Sequence, residues 1–382
     1  MNFEFATSAR IIFGAGKLSE AGRIASAFGA RALIVTGRYV GRAERLAQLL
    51  REAEIASACF PTPSEPSVAL VTAGAAVARE FAADLVIGFG GGSALDAGKA
   101  IAALVTNPED IFEYIEVVGR GRRLSKIPLP FVAIPTTAGT GAEVTRNAVI
   151  FVPERQVKAS LRSASMLARA AIVDPELTVE LPPQLTATTG LDALTQLIEP
   201  FVSARANPLT DAICREGMRF SARSLKSAYL DGRNLRAREE MSCASLFGGL
   251  ALANSGLGAV HGFAAAIGGM FPIAHGAICA ALLPQVWRAN VSVATREGRK
   301  DVLARFRAAA GILTDRDASI EEGGEWLEHL VRELGILKLG ASGITREAFP
   351  VICEKAARAS SMKANPVEFS FDELSQILET SF

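Results

Sequence analysis

The sequence predicts an α/β domain built on a parallel sheet, followed by an all-helical domain. Three observations carry that prediction. Short apolar runs alternate with helical patterns through the first half of the chain, the rhythm of parallel strands joined by crossover helices. One of those runs ends in Gly90-Gly91-Gly92-Ser93, followed by a helical pattern. Past Pro182-Pro183 there is no further convincing strand, and long helical patterns take over. Proline ends or starts elements, so the domain boundary is set there, giving residues 1–182 and 183–382.

The elements follow in order. Residues 3–5 and 10–13 suggest a small hairpin at the sheet margin. Residues 32–36 are a first apolar strand, and a helix over 42–54 follows with Leu46, Leu49 and Leu50 on one face. A strand at 56–60 leads to a helix at 67–81, and a strand at 84–88 leads through the glycines into a helix at 93–105. Phe131–Pro135 is the fourth main strand. In the second half, helices are expected over 208–227, 235–253, 260–270, 277–290, 301–310, 320–334 and 345–359.

Composition agrees with that plan. A chain of 382 residues is too long for one simple core, and two domains of roughly 150–200 residues are the natural division. Lys+Arg and Asp+Glu number 40 each, a balance that argues against nucleic acid or an anionic membrane surface as partner. From Met241 to Trp287 there is no charged residue, yet His261 and His275 lie inside that stretch. About 20 apolar residues can span a bilayer. Here, however, Asn254-Ser255-Gly256, His261, Pro272 and His275 interrupt the run, and no Lys/Arg cluster flanks it. It reads as buried helices of a soluble protein. Cys59, Cys214, Cys243, Cys279 and Cys353 are scattered and odd in number, as buried thiols in a reducing compartment are. With no basic-then-apolar leader at the N-terminus, a cytoplasmic location is expected.

Two sets of residues point to chemistry. Gly90, Gly91 and Gly92 let backbone N–H groups approach an anion, and Ser93 with Asp96 forms a capping-box-like pair at the helix start. Such turns are often purely structural, but strand, glycines, serine and helix together suit a diphosphate. A second loop, Thr136-Thr137-Ala138-Gly139-Thr140-Gly141, follows the fourth strand, where ligand crevices form; a self-satisfied turn is the alternative. Asp192 and Gln196 share one face of a helix, and His261 and His275 each precede a glycine. One carboxylate and two imidazoles form a common divalent-metal set with a position left for substrate. His329, in a charged amphipathic segment, reads as surface.

Together these residues resemble the iron-containing (group III) alcohol dehydrogenase family over essentially the whole chain. The strongest matches are the segment from Gly90 to Lys99, the segment from Ala133 to Thr145, Thr189-Gly190-Leu191-Asp192, Val260-His261-Gly262 and Ala274-His275-Gly276. The resemblance implies a Rossmann-like dinucleotide-binding domain and an all-α metal and substrate domain, the architecture shared with dehydroquinate synthase. It implies a cofactor diphosphate on Gly90, Gly91, Gly92 and Ser93, with Asp96, Thr136, Thr137, Thr140 and Lys158 around the cofactor. Asp192, His261 and His275 match three of four family metal ligands and would carry catalysis. The family's dimers imply a homodimer, for which the hairpin at 3–13 is a candidate joint.

This chain departs from the family pattern at three positions. Gln196 stands where the family usually has its fourth ligand, a histidine; a neutral carbonyl is a poorer partner for Fe2+ or Zn2+, so weaker metal binding is expected. Ala265 stands where a second histidine near the nicotinamide is common. Gly37 stands where NAD-preferring members often carry an aspartate that repels a 2′-phosphate, and with Arg38 beside it NADP is expected alongside NAD. The expected activity is metal-assisted, NAD(P)-dependent hydride transfer between a small-molecule alcohol and its aldehyde or ketone. The rivals are a maleylacetate-reductase-like enzyme with little metal dependence, a dehydroquinate-synthase-like lyase, and a non-catalytic nucleotide-binding module. The uncharged surroundings of His261 and His275 argue against the lyase.

Overall fold

A computed structural model of the chain describes residues 2–382. Two compact units are present: Ala6–Thr137 with Gly141–Val179, and residues 2–5 and Ala138–Thr140 with Glu180–Phe382.

The first unit holds strands β1 (Ile11–Phe13), β2 (Arg31–Thr36), β3 (Ala56–Pro61), β4 (Leu85–Gly90), β5 (Phe131–Pro135), β6 (Asn147–Val152), β7 (Val157–Arg162) and β8 (Ala170–Val173). Its helices are α1 (Ala21–Ala25), α2 (Glu44–Glu52), α3 (Val68–Glu80) and α4 (Gly92–Thr106). Six strands form one sheet in the order β1-β8-β5-β4-β2-β3, every neighbouring pair parallel. Side chains alternate across it. On β2, Leu33 and Val35 join Val71, Ala75 and Ile101 of α3 and α4, while Ala32 and Ile34 join Ile24, Leu46 and Leu50 of α1 and α2. Both faces are covered, so β4, β5 and β8 are buried along their whole lengths, as a parallel sheet requires.

Two expectations fail at the margins. Residues 3–5 form no strand, and β1 pairs parallel with β8 at the edge of the sheet; the hairpin at 3–13 is absent. Strands β6 and β7 form an antiparallel pair that the sequence reading missed. Their connection, Pro153–Arg155 and Gln156, has none of the Asn-Gly or Asp-Gly signals of a tight hairpin, and its left-handed residue is Gln156, at φ 48°.

The second unit is helical: α5 (Pro183–Val202), α6 (Pro208–Leu230), α7 (Leu235–Ser255), α8 (Ala259–Met270), α9 (His275–Arg296), α10 (Lys300–Thr314), α11 (Ile320–Glu333), α12 (Phe349–Arg358) and α13 (Phe371–Ser381). Every residue of α5 from Gly190 to Val202 is buried, the pattern of a helix surrounded by its neighbours. Four polar residues interrupt that span. Thr195 bonds to the Leu191 carbonyl of its own helix; Asp192, Gln196 and Glu199 need partners from elsewhere. Among the described residues no single helix is long and apolar enough to cross a membrane; α7 and α8 pass that test only as a pair, bent by 98°. Residues 259–264 of α8 are buried in this unit's core.

Candidate active site

In the sheet, β3 lies on one side of β2 and β4 on the other, so the strand order reverses between β2 and β4. Ligands bind outside the carboxyl ends of strands at such a reversal. Gly37 follows β2 and the glycine run ends β4, and the two meet there. A methyl group on Gly90 would stand 2.7 Å from Ala94 Cβ and 3.2 Å from the Gly37 nitrogen, so only glycine lets these chains approach. The Thr136 N–H donates to the Gly90 carbonyl at 2.9 Å, and Thr137 packs against Gly91. Helix α4 begins at Gly92 with no side-chain cap and no acidic residue in its first turn. Its first N–H groups and positive dipole end are therefore available to an anion.

The expected capping pair does not form, because the helix starts one residue before Ser93. Asp96 is committed elsewhere: one carboxylate oxygen accepts from the Val149 N–H at 3.0 Å and the other pairs with Lys99 Nζ at 2.9 Å. It anchors β6 to α4. Lys99, fully buried, also donates to the Ala142 and Asn147 carbonyls and to Thr145 Oγ1, which fastens the threonine-rich loop to α4. Lys158 Nζ is engaged by Glu65 at 2.6 Å. Thr140 groups with the helical unit, apart from Thr136 and Thr137. At Gly37 an added Cβ meets open space; the backbone does not impose glycine there, and the missing acid is a genuine departure.

The metal candidates converge in the helical unit. Asp192 Oδ1 lies 3.4 Å from His261 Nε2 and 3.7 Å from His275 Nε2, and the two imidazole centroids are 5.4 Å apart. Cys279, one turn after His275 on α9, joins them: its Sγ is 3.6 Å from His275 Nε2, and the four donor atoms all lie within 4.8 Å of one another. Donors about 2.0–2.3 Å from a shared tetrahedral ion stand about 3.3–3.8 Å apart, and the 3.4, 3.6 and 3.7 Å pairs match that range. Asp192 Oδ1, His261 Nε2 and Gln196 Oε1 are buried without hydrogen-bond partners. The first two meet at the donor cluster, and such orphans are costly unless a cation satisfies them. Glycine again permits the approach: a methyl on Gly276 would come within 2.4 Å of the Thr188 carbonyl, so only glycine lets the start of α9 close on α5.

Glu199 completes the arrangement. Its carboxylate accepts from the N–H groups of Gly258 and Val260, at 2.8 and 2.7 Å, and from His261 Nδ1 at 2.7 Å. Asn365 Oδ1 accepts from the Ala259 N–H at 3.1 Å. Helix α8 is thus capped by side chains from other elements. With Nδ1 of His261 donating to Glu199, Nε2 is left to face the donor cluster, the usual carboxylate–histidine support of a metal ligand. Burial opposes charge on His261, but Glu199 and Asp192 outweigh it and raise its pKa to about 10. Burial likewise opposes charge on Asp192, yet His275, His261 and the neighbouring Gln196 amide hold its pKa below the usual value. The cluster is built for positive charge.

Sequence reasoning brought together Asp192, Gln196, His261 and His275. It missed Glu199, Asn365 and Cys279. Two of these carried a signal: Glu199 extends the Asp192–Gln196 face at i+7, and Cys279 shares a face with His275 at i+4. Phe263 is wholly core, and Met270 and Phe271 pack half-buried against that core. His329 is exposed beside Glu333.

A family profile described as "Iron-containing alcohol dehydrogenase" matches residues 8–175, and one described as "Fe-containing alcohol dehydrogenase family, C-terminal" matches residues 186–382. Alcohol dehydrogenase 4 of Saccharomyces cerevisiae is 36% identical over 376 residues, covering 97% of this chain and 96% of the yeast protein. A crystal structure of 1,3-propanediol oxidoreductase superposes with a TM-score of 0.93 over 100% of both chains, at 33% identity. That of sulfoacetaldehyde reductase from Bifidobacterium kashiwanohense, in complex with NAD+, gives a TM-score of 0.88 at 29% identity, covering 100% of this chain and 98% of the other.

Proposed function

Because the chain belongs to the iron-containing alcohol dehydrogenase family, we propose that it interconverts an alcohol and its aldehyde or ketone at a divalent metal held by Asp192, His261 and His275. The observation that carries this reading is the convergence of unpartnered, buried Asp192 Oδ1 and His261 Nε2 beside His275 Nε2. When bound, the ion supplies Lewis acidity toward the substrate oxygen, and a nicotinamide supplies or accepts the hydride.

The chain's own residues prepare that chemistry. Glu199 holds His261 in the tautomer that presents Nε2. The Asp192 carboxylate, with Glu199 behind His261, offsets the ion's charge inside the core. The side chain of His275 is 33% exposed against 6% for His261, so water and substrate approach from its side. Ala265 offers no proton-accepting atom where relatives often place a histidine, which leaves solvent to carry the proton. The reversal between β2 and β4, with its glycines and the bare start of α4, receives the cofactor diphosphate. NAD is favoured by the NAD+ complex of the sulfoacetaldehyde reductase, and NADP is accepted as well because no carboxylate at Gly37 repels a 2′-phosphate. Linear alcohols and diols are the favoured substrates, in line with the named 1,3-propanediol oxidoreductase.

Oxidation of NADH and NADPH by a panel of short aldehydes, before and after chelation, tests the reading. Activity should fall by more than about 100-fold on chelation and return with Fe2+ or Zn2+. Metal-free protein that keeps full activity would favour a reductase of low metal dependence, the alternative raised by the neutral Gln196.

A further inference from the structure

We infer that the Cys279 thiolate, and not the Gln196 amide, is the fourth protein donor of this metal centre. The inference rests on the metal reading above and concerns which residue completes the set. Helix α9 carries His275 and Cys279 one turn apart, and Sγ lies 3.6 Å from His275 Nε2, the spacing of two donors on one ion. Sγ also stands within 4.8 Å of the donor atoms of Asp192 and His261. The thiol is buried and in no disulfide.

Donor chemistry favours the sulfur. Asp192 and the Glu199 carboxylate behind His261 already balance a divalent charge, so the case for Cys279 is its place beside His275 and its soft character. On coordination the thiol proton passes to solvent and the sulfur becomes an anionic donor, whereas the Gln196 carbonyl is a neutral and harder one. Cys279 therefore supplies the soft fourth donor that Gln196 does not. Thiolate ligation also shifts preference from Fe2+ toward Zn2+ and Co2+.

Cobalt spectroscopy tests this without reference to turnover. Full-length protein is stripped with a chelator and loaded with Co2+ alone to one equivalent. Wild type should show visible d–d bands together with a near-ultraviolet thiolate-to-cobalt charge-transfer band. Cys279→Ser should keep the visible bands, lose the near-ultraviolet band and bind Zn2+ at least about tenfold more weakly; Gln196→Ala should keep both bands. Circular dichroism checks that each variant is folded. Visible bands without charge transfer in wild type, or charge transfer that survives in Cys279→Ser, would overturn the inference and leave the metal centre standing. Failure of wild type to bind Co2+ at all would overturn the metal reading itself.

Discussion

Glu199 decides which nitrogen of His261 faces the ion, and it does so while holding two backbone N–H groups of α8. A carboxylate can accept from all three donors, whereas an amide must turn its NH2 toward at least one of them. Glu199→Gln should therefore leave the helix in place but free the imidazole to adopt the other tautomer. We expect Zn2+ affinity to drop by about 10–100-fold, read by competition with a chromophoric chelator; unchanged affinity would show that Glu199 only caps the helix. Asp192 was visible in the sequence because it shares a face with Gln196. Glu199 lies on that same face, but a glutamate late in an apolar helix resembles ordinary solvated charge until the fold buries it.

At the level of elements, the short helical turn Ala142–Val144 presents a second buried carboxyl. Burial pushes Glu143 up to about 7, against the pull of its own backbone N–H and of Lys99. The folded state thus holds this proton more tightly than the unfolded chain, whose carboxyl ionises near 4.5. Stability from this group is fully present below about pH 4.5, falls as pH rises and is gone above about pH 7, a loss of about 3 kcal/mol. Glu143→Gln cannot ionise; its denaturant midpoint should match wild type at acid pH and exceed it above pH 7. Parallel midpoint curves for the two proteins would refute this.

The elements that sequence reading found are those whose local signals agree with their tertiary role. Strands β2, β4 and β5 are continuous apolar runs because both sheet faces are covered, and most helices are amphipathic. Those it missed depend on distant partners: β8 has four residues and exists through β1 and β5, and the β6–β7 turn uses Gln156 in a left-handed conformation. The capping pair at Ser93 failed for a related reason. Asp96 fits the local rule, but Lys99 and Val149, the latter far along the chain, take both its oxygens.

Across the whole molecule, every donor of the metal cluster comes from α5, α8 and α9, and none from the sheet-bearing unit. Chelation should therefore speed amide hydrogen exchange in the first turns of α8 and α9 and in the middle of α5, while β2, β4 and β5 keep their protection. Exchange that rises equally in both units would mean that the ion stabilises the protein by some other route. The polar latch at the start of α8 has a further consequence. Asn365 receives the Ala259 N–H and passes its own amide hydrogens to Asn290 Oδ1 and the Val367 carbonyl. The helix bearing His261 thus waits for a residue more than a hundred positions downstream. On the ribosome, where earlier segments emerge first, the glycine turn can fold well before the ligand helix is secured. Chains that end before Asn365 should therefore hold a metal ion less tightly than the full-length protein, although every candidate ligand is already present.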